Sequence, residues 1–219
     1  MIENVKIIFK RIKNINIRVK QDLEVVVTAP MRTSKSTINA IIASRQDWIN
    51  KQLEYFKQRQ ILPKKYEHGE EFKFLGKIYP IKISQAKTGM VSLNADHLEL
   101  SLPEDNISVG IRAILVNSWY KEQAHRHFMP ILERYTQIVD KKINKVVIRQ
   151  MKTRWGSCNP QKGYINLNLE LIKKPVPAIE YIILHELAHL THYNHDHKFY
   201  DYVSSYMPDW KARKKLLEF

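Results

Sequence analysis

Tyr181-Ile-Ile-Leu-His-Glu-Leu-Ala-His-Leu-Thr-His-Tyr-Asn-His195 is the stretch around which the rest of the chain is read. It contains His185-Glu186-Leu187-Ala188-His189, a HExxH motif set in an apolar run. On an α-helix residues four apart share a face, so His185 and His189 can point at one ion. Glu186 follows the first histidine, close enough to act on a metal-held water without having to bind the metal. That pattern suits zinc-assisted hydrolysis: two imidazoles hold Zn²⁺, the metal lowers the pKa of its water, and the carboxylate serves as general base.

Three fixed positions also arise by chance on solvated helix faces, so the surroundings decide. Ile179, Tyr181, Ile182, Ile183 and Leu184 precede the motif, and Leu187, Ala188 and Leu190 surround it. A polar triplet in so apolar a helix is costly unless something satisfies it, and a metal would. Five of the chain's nine histidines fall between 185 and 197.

A straight helix cannot supply the third ligand. His192 shares the stripe of His185 and His189 but sits about 10 Å along the axis from His185 at 1.5 Å per residue. With Zn–N bonds of about 2 Å, three ligands on one rod do not converge. The chain must turn back, and Asn194 is suited to end the helix. The next residue, His195, is the expected third ligand. Its spacing matches the metzincin type of zinc site, with Tyr193 in place of the usual glycine. Asp196 or Asp201 is a candidate to orient a ligand histidine.

The 219 residues suffice for one large domain or two small ones with a real core. No apolar run reaches the roughly 18 residues of a membrane span. The first ten residues show no uninterrupted apolar signal segment. A single cysteine, Cys158, excludes an internal disulfide framework. These features lead to the expectation of a soluble, cytoplasmic protein. The formal net charge of +14 predicts attraction to anions, unless the excess lysine is only a solvated surface. Lys141, Lys142, Lys145, Arg149, Lys152 and Arg154 form a basic stripe without an acid, leading toward the expected site.

Earlier in the chain, residues 5–29 alternate apolar and polar side chains, which predicts a small sheet of antiparallel strands with a turn at Lys20–Asp22. Thr33 or Ser34 then caps a helix running to about Gln60, with Trp48 as a core residue, ended by Leu62-Pro63. Further strands are expected over 70–75, 78–83, 91–93 and 97–102. A long helical pattern over 106–139 should restart or kink at Pro130. His125 and His127, two residues apart within it, face different directions and are read as surface or packing residues. Residues 146–152 and 164–169 are expected to pair as a hairpin, with Pro175 or Pro177 in the first turn of the motif helix. Cys158 is read as a packing residue rather than a nucleophile. Ser157 has neither an elbow nor a base beside it.

Beyond these readings, Met151-Lys-Thr-Arg-Trp-Gly-Ser-Cys158, Gly163-Tyr-Ile-Asn-Leu-Asn168, Tyr181–Leu190 and Asn194-His-Asp-His-Lys-Phe-Tyr200 together resemble the YgjP-like metallopeptidase family, akin to the SprT-like and WLM groups. Val25–Pro30, Asp47-Trp-Ile49, Gly69-Glu70 and Leu75-Gly76 extend the resemblance through the N-terminal half. Two positions depart from the family: Asp196 stands where serine is usual and Tyr200 where tryptophan is usual. The resemblance implies an α+β fold in which a β-rich N-terminal region with a helix (1–104) precedes a zincin-like domain (105–219) carrying a small sheet and the HExxH helix. It implies zinc held by His185, His189 and His195, with Glu186 as catalytic base of a metallopeptidase.

Substrate is less constrained. An extended peptide could add to an edge strand at 164–169. Arg154 and the basic stripe would instead suit the phosphates of a nucleoside triphosphate, making a pyrophosphatase the alternative. A non-catalytic nucleic-acid adaptor is a third reading, disfavoured by the intact Glu186. Arg154, Asn166 and Asn168 are the candidate substrate-binding residues.

Overall fold

The computed structural model describes residues 5–20, 22–58, 64–104, 107–139 and 141–217, with backbone alone for 55–58. Leu62-Pro63, Gln60, Gln21 and the side chain of Phe56 therefore lie outside the described residues. Two compact units form, 1–64 and 65–219. The boundary expected after residue 104 falls instead at Lys64–Lys65. The reason is packing: Phe72, Phe74, Ile81, Leu98 and Leu100 share one core with the long helix and the HExxH helix.

In the first unit, β1 (Val5–Lys10), β2 (Asn16–Val19) and β3 (Val25–Pro30) form a sheet in the order β1-β3-β2. β2 and β3 are antiparallel, but β1 runs parallel to β3, against the expectation of antiparallel pairing throughout. Alternation identifies a strand and its faces, not the direction of its partner. The central strand is buried on both faces: Val25, Val26, Val27 and Ala29 are all in the core.

α1 (Lys35–Ser44) starts where Ser34 accepts a hydrogen bond from the Thr37 N–H at 3.1 Å. The single helix expected here is two, because the chain breaks at Arg45 before α2 (Gln46–Gln58). Ser44 donates its hydroxyl to the Ile41 carbonyl beside the break. Ile38 and Ile49 enter the core. Trp48 does not; it is 42% exposed, turned about 100° from Ile49 around the helix.

The second unit begins with β4 (Glu71–Phe74), β5 (Lys77–Gln85), β6 (Met90–Leu93) and β7 (Leu98–Leu102), ordered β4-β5-β7-β6. α3 (Val109–Val139) packs on this sheet, with Phe72 stacked on Tyr120 and the Tyr120 hydroxyl donating to the Lys73 carbonyl. It passes through Pro130 as one helix of 31 residues, so the expected restart does not occur.

β8 (Lys145–Arg149), β9 (Gly156–Asn159) and β10 (Tyr164–Asn168) form the sheet beside the HExxH helix. Its order is β8-β10-β9, with β9 antiparallel and β8 parallel to β10. The hairpin is thus 156–168, not 146–169, because the loop at 150–155 carries the chain across to the far side of β10. It follows that 164–169 is central and offers no free edge; β8 and β9 are the edges.

A 3-10 helix (Leu169–Lys173) leads into α4 (Val176–Ala188). The tight turn between β4 and β5 locks onto this approach: Leu75 and Gly76 donate to the carbonyls of Ile172 and Lys173. Gly76 has φ +81°, and a Cβ there would lie 2.6 Å from the Pro175 ring. α5 (His197–Tyr206) and α6 (Trp210–Lys215) close the unit. Among the described residues no helix is long and apolar enough to cross a membrane.

Candidate metal centre and active site

α4 carries the HExxH motif in its last turn. The helix ends at Ala188, with His189 at the cap, several residues before the end expected near Asn194. Its final backbone bonds close on Leu187 and Ala188 through the amides of Leu190, Thr191 and His192. Turning at once, the chain has room to bring His195 back. His192 no longer shares the helical stripe. Its carbonyl instead accepts a hydrogen bond from Nδ1 of His189 at 3.0 Å, leaving Nε2 of His189 free for a ligand.

The three histidines converge. Their ligand atoms lie within 4.8 Å of one another, and Nε2 of His195 stands 2.9 Å from Nε2 of His185. Asp196, a candidate to orient a histidine, is engaged elsewhere, since its carboxylate caps α5 by accepting from the Phe199 N–H at 3.1 Å. That cap fixes the start of α5 two residues after His195. Asp201 lies exposed on α5.

One residue of the site is not evident from the motif alone. Phe199 is fully buried, and its ring centroid lies 4.9, 4.8 and 4.9 Å from those of His185, His189 and His195. It is a floor under all three imidazoles. The Asn-His-x-x-x-Phe spacing carries the signal, since an α5 cap at Asp196 places Phe199 in the first turn facing back toward His195. The Tyr181 hydroxyl lies 3.5 Å from Nδ1 of His185, on the side away from the cluster.

Electrostatics favour the neutral forms of His185 and His189. Burial, followed by the charges His189, His195 and Lys214 would carry nearby, pushes His185 down to about 3. Burial likewise lowers His189. Neutral imidazoles are the form that binds a cation. The donor set therefore fits a divalent metal of the kind imidazole prefers.

Glu186 is 5% exposed, and burial raises its carboxyl to about 7 against the opposing pull of Arg154. It presses on β9: a Cβ at Gly156 would lie 2.6 Å from both Cγ and Oε1 of Glu186. The glycine of Arg-Trp-Gly-Ser-Cys is thus the space the glutamate occupies.

A cavity of about 850 Å³ opens over these groups, bounded by Arg154, β9, Ile182, Tyr193 and the three histidines. Of the candidate substrate-binding residues, only Arg154 lines it. Asn166 donates to the Ser157 hydroxyl at 3.1 Å. Asn168, 4% exposed, is engaged with backbone: its amide donates to the Met151 and Arg154 carbonyls, and its oxygen accepts from the Met151 and Glu170 amides. It holds the loop that carries Arg154 rather than facing the cavity. Cys158 lines the cavity, but burial and nearby Glu186 raise its thiol to about 11. It stays protonated at neutral pH, as a poor nucleophile.

A family model described as "YgjP-like, metallopeptidase domain" matches residues 13–218, which sets the class of this hydrolase as metallopeptidase. The chain belongs to the YgjP-like metallopeptidase family. Two solved structures are similar to part of it. The metallopeptidase zymogen abylysin of Pyrococcus abyssi is 24% identical, covering 41% of this chain and 90% of that one, with a TM-score of 0.38. The metallopeptidase zymogen jannalysin of Methanocaldococcus jannaschii is 23% identical, covering 42% and 88%, with a TM-score of 0.37. No curated protein matches the chain.

Proposed function

We propose that the protein is a zinc-dependent peptidase in which His185, His189 and His195 hold the metal and Glu186 is the general base. The observation that carries this reading is the convergence of three imidazoles beside one buried carboxylate at the floor of an open cavity. Zinc bound there would polarise a peptide carbonyl and acidify a water.

Glu186 takes a proton from the attacking water and returns it to the leaving amine. Burial raises the carboxyl and favours its protonated form, while a cation held by the histidines would favour the carboxylate, so the group has reason to occupy both states in turn. Gly156 lets the carboxylate sit against β9, so the base is packed in place before substrate arrives. β9 is an edge strand bounding the cavity, and an extended peptide pairing with its free side would lie across Glu186. Arg154, which lines the cavity from the loop latched by Asn168, would meet a carbonyl or an acidic side chain of that peptide. The single thiol suits a reducing cytoplasm.

A triphosphate fits less well. Arg154 is the one lysine or arginine among the described residues lining the cavity, and Lys141, Lys142 and Lys145 line a different groove. The basic stripe does not converge on the catalytic groups. An adaptor without turnover would have no use for a carboxylate buried beside the histidines.

The deciding experiment is a parallel assay of the zinc-loaded protein on unstructured peptides and on nucleoside triphosphates, with Glu186→Gln as control. Peptide cleavage that disappears in Glu186→Gln, with zinc still bound, is the expected result. Triphosphate hydrolysis in its place overturns the peptidase reading. His195→Ala should lose zinc by elemental analysis, whereas His192→Ala should keep it, because His192 acts through its main-chain carbonyl.

A further inference from the structure

The sheet beside the HExxH helix has a second edge, at β8. β8 is bonded to β10 on one side and, among the described residues, to no strand on the other. The Lys145 amide donates to the Gly163 carbonyl at 3.3 Å. In a parallel ladder alternate residues face the neighbouring strand, so Lys145 and Val147 turn toward β10 while Val146 and Ile148 direct their N–H and C=O groups outward. An unpaired row of this kind is a template for another extended chain.

Beside this edge, α3 and β8 bound a groove of about 770 Å³. Its apolar lining comes from Met129, Leu132, Ile143, Val146 and Ile148. Val146 and Ile148 thus supply both apolar side chains to the groove and open backbone groups to its margin. Lys121, Lys141, Lys142 and Lys145 surround it, against one lining acid, Glu133. Among the described residues none of these four lysines is engaged in an ion pair.

We propose that this groove binds an extended acidic segment of a partner protein, which adds to β8 as a fourth strand. The open edge selects an extended backbone and the apolar lining accepts alternate side chains. The lysines select acidic residues between them. A single-stranded nucleic acid would be drawn by the same lysines, but its bases stack on aromatic rings, and no Phe, Tyr or Trp among the described residues lines the groove. The site lies apart from Glu186 and the three histidines, and its binding does not depend on the catalytic reading.

The test uses the full chain and a fluorescein-labelled peptide of alternating glutamate and valine, followed by fluorescence anisotropy. Lys121→Glu combined with Lys142→Glu changes two exposed side chains and should weaken binding by roughly tenfold or more. The same peptide with alternate amides N-methylated cannot form the ladder and should bind at least as weakly. Peptide binding should slow hydrogen exchange at the Val146 and Ile148 amides, and Glu186→Gln should bind it as tightly as the natural protein. Absence of binding overturns the proposal, as does equal affinity for the N-methylated peptide. Tighter, lysine-dependent binding of an oligothymidylate would reassign the groove to nucleic acid and overturn it too.

Discussion

At the scale of single residues, the site is built by steric exclusion as much as by ligation. Glu186 fits only because Gly156 lacks a side chain. Gly156→Ala should force the carboxylate aside and cost about 1–3 kcal/mol through overpacking. Peptidase activity should fall by about 10² or more, the range expected for a displaced general base. Zinc content measured alongside should be unchanged; a variant that loses zinc would mean the glycine supports the histidines instead. Phe199 makes the complementary case. Replacing it by alanine removes the ring that contacts all three imidazoles, so zinc affinity should drop by about 10-fold or more, as for other groups that orient ligands. Competition with a chelator reads that loss directly. Cys158 gives a prediction in pH. With its thiol raised to about 11, the metal-free protein should react slowly with iodoacetamide at pH 8 and speed up only as pH approaches that value. The folded state holds the thiol proton that an unfolded chain releases from about pH 9, so this group's contribution to stability declines as pH rises through 9 to 11.

Elements decide what the sequence could and could not disclose. The convergence of His185, His189 and His195 is legible because it depends on local geometry: helical spacing pairs His185 with His189, and a third histidine can join them only from chain that has turned back. The end of α4 comes several residues earlier than the sequence suggests, since nothing in Leu190-Thr-His-Tyr is a strong helix breaker and the termination depends on tertiary packing. Pairing in the 145–168 sheet is also hidden. Alternation marks β8 and β10 as strands, but only the whole fold makes them parallel neighbours with β9 outside. That moves the expected peptide-binding edge from 164–169 to 156–159. It also gives Asn168 a new role. Its four bonds to backbone hold the loop that carries Arg154. Asn168→Ala should therefore destabilise the protein by about 2 kcal/mol, the cost of leaving buried polar groups unpaired. If Asn168 only positions that loop, urea denaturation will show the loss and residual activity will carry a raised KM with zinc intact. Unchanged stability with a raised KM would return it to direct substrate contact.

On the scale of the whole molecule, the two units differ in how much core they own. Residues 65–219 bury one continuous cluster running from Phe72 through Phe128, Leu167 and Ile183 to Phe199 and Trp210. Every residue assigned to the metal centre, the cavity and the loop latch lies in that unit. Among the described residues the first unit has two small clusters, around Val25 with Ile49 and around Val27 with Ile38. A chain of about 60 residues buries a smaller share of its surface and is marginal alone, whereas one of about 150 is not. A fragment comprising residues 65–219 should therefore fold cooperatively and bind one zinc with the affinity of the full chain. Calorimetry and elemental analysis would check both. Any activity the fragment retains on short peptides would place the chemistry wholly within it, and a selective loss on folded protein substrates would assign 1–64 to substrate recruitment. Failure of the fragment to bind zinc would instead show that the first unit completes the fold on which His185, His189 and His195 depend.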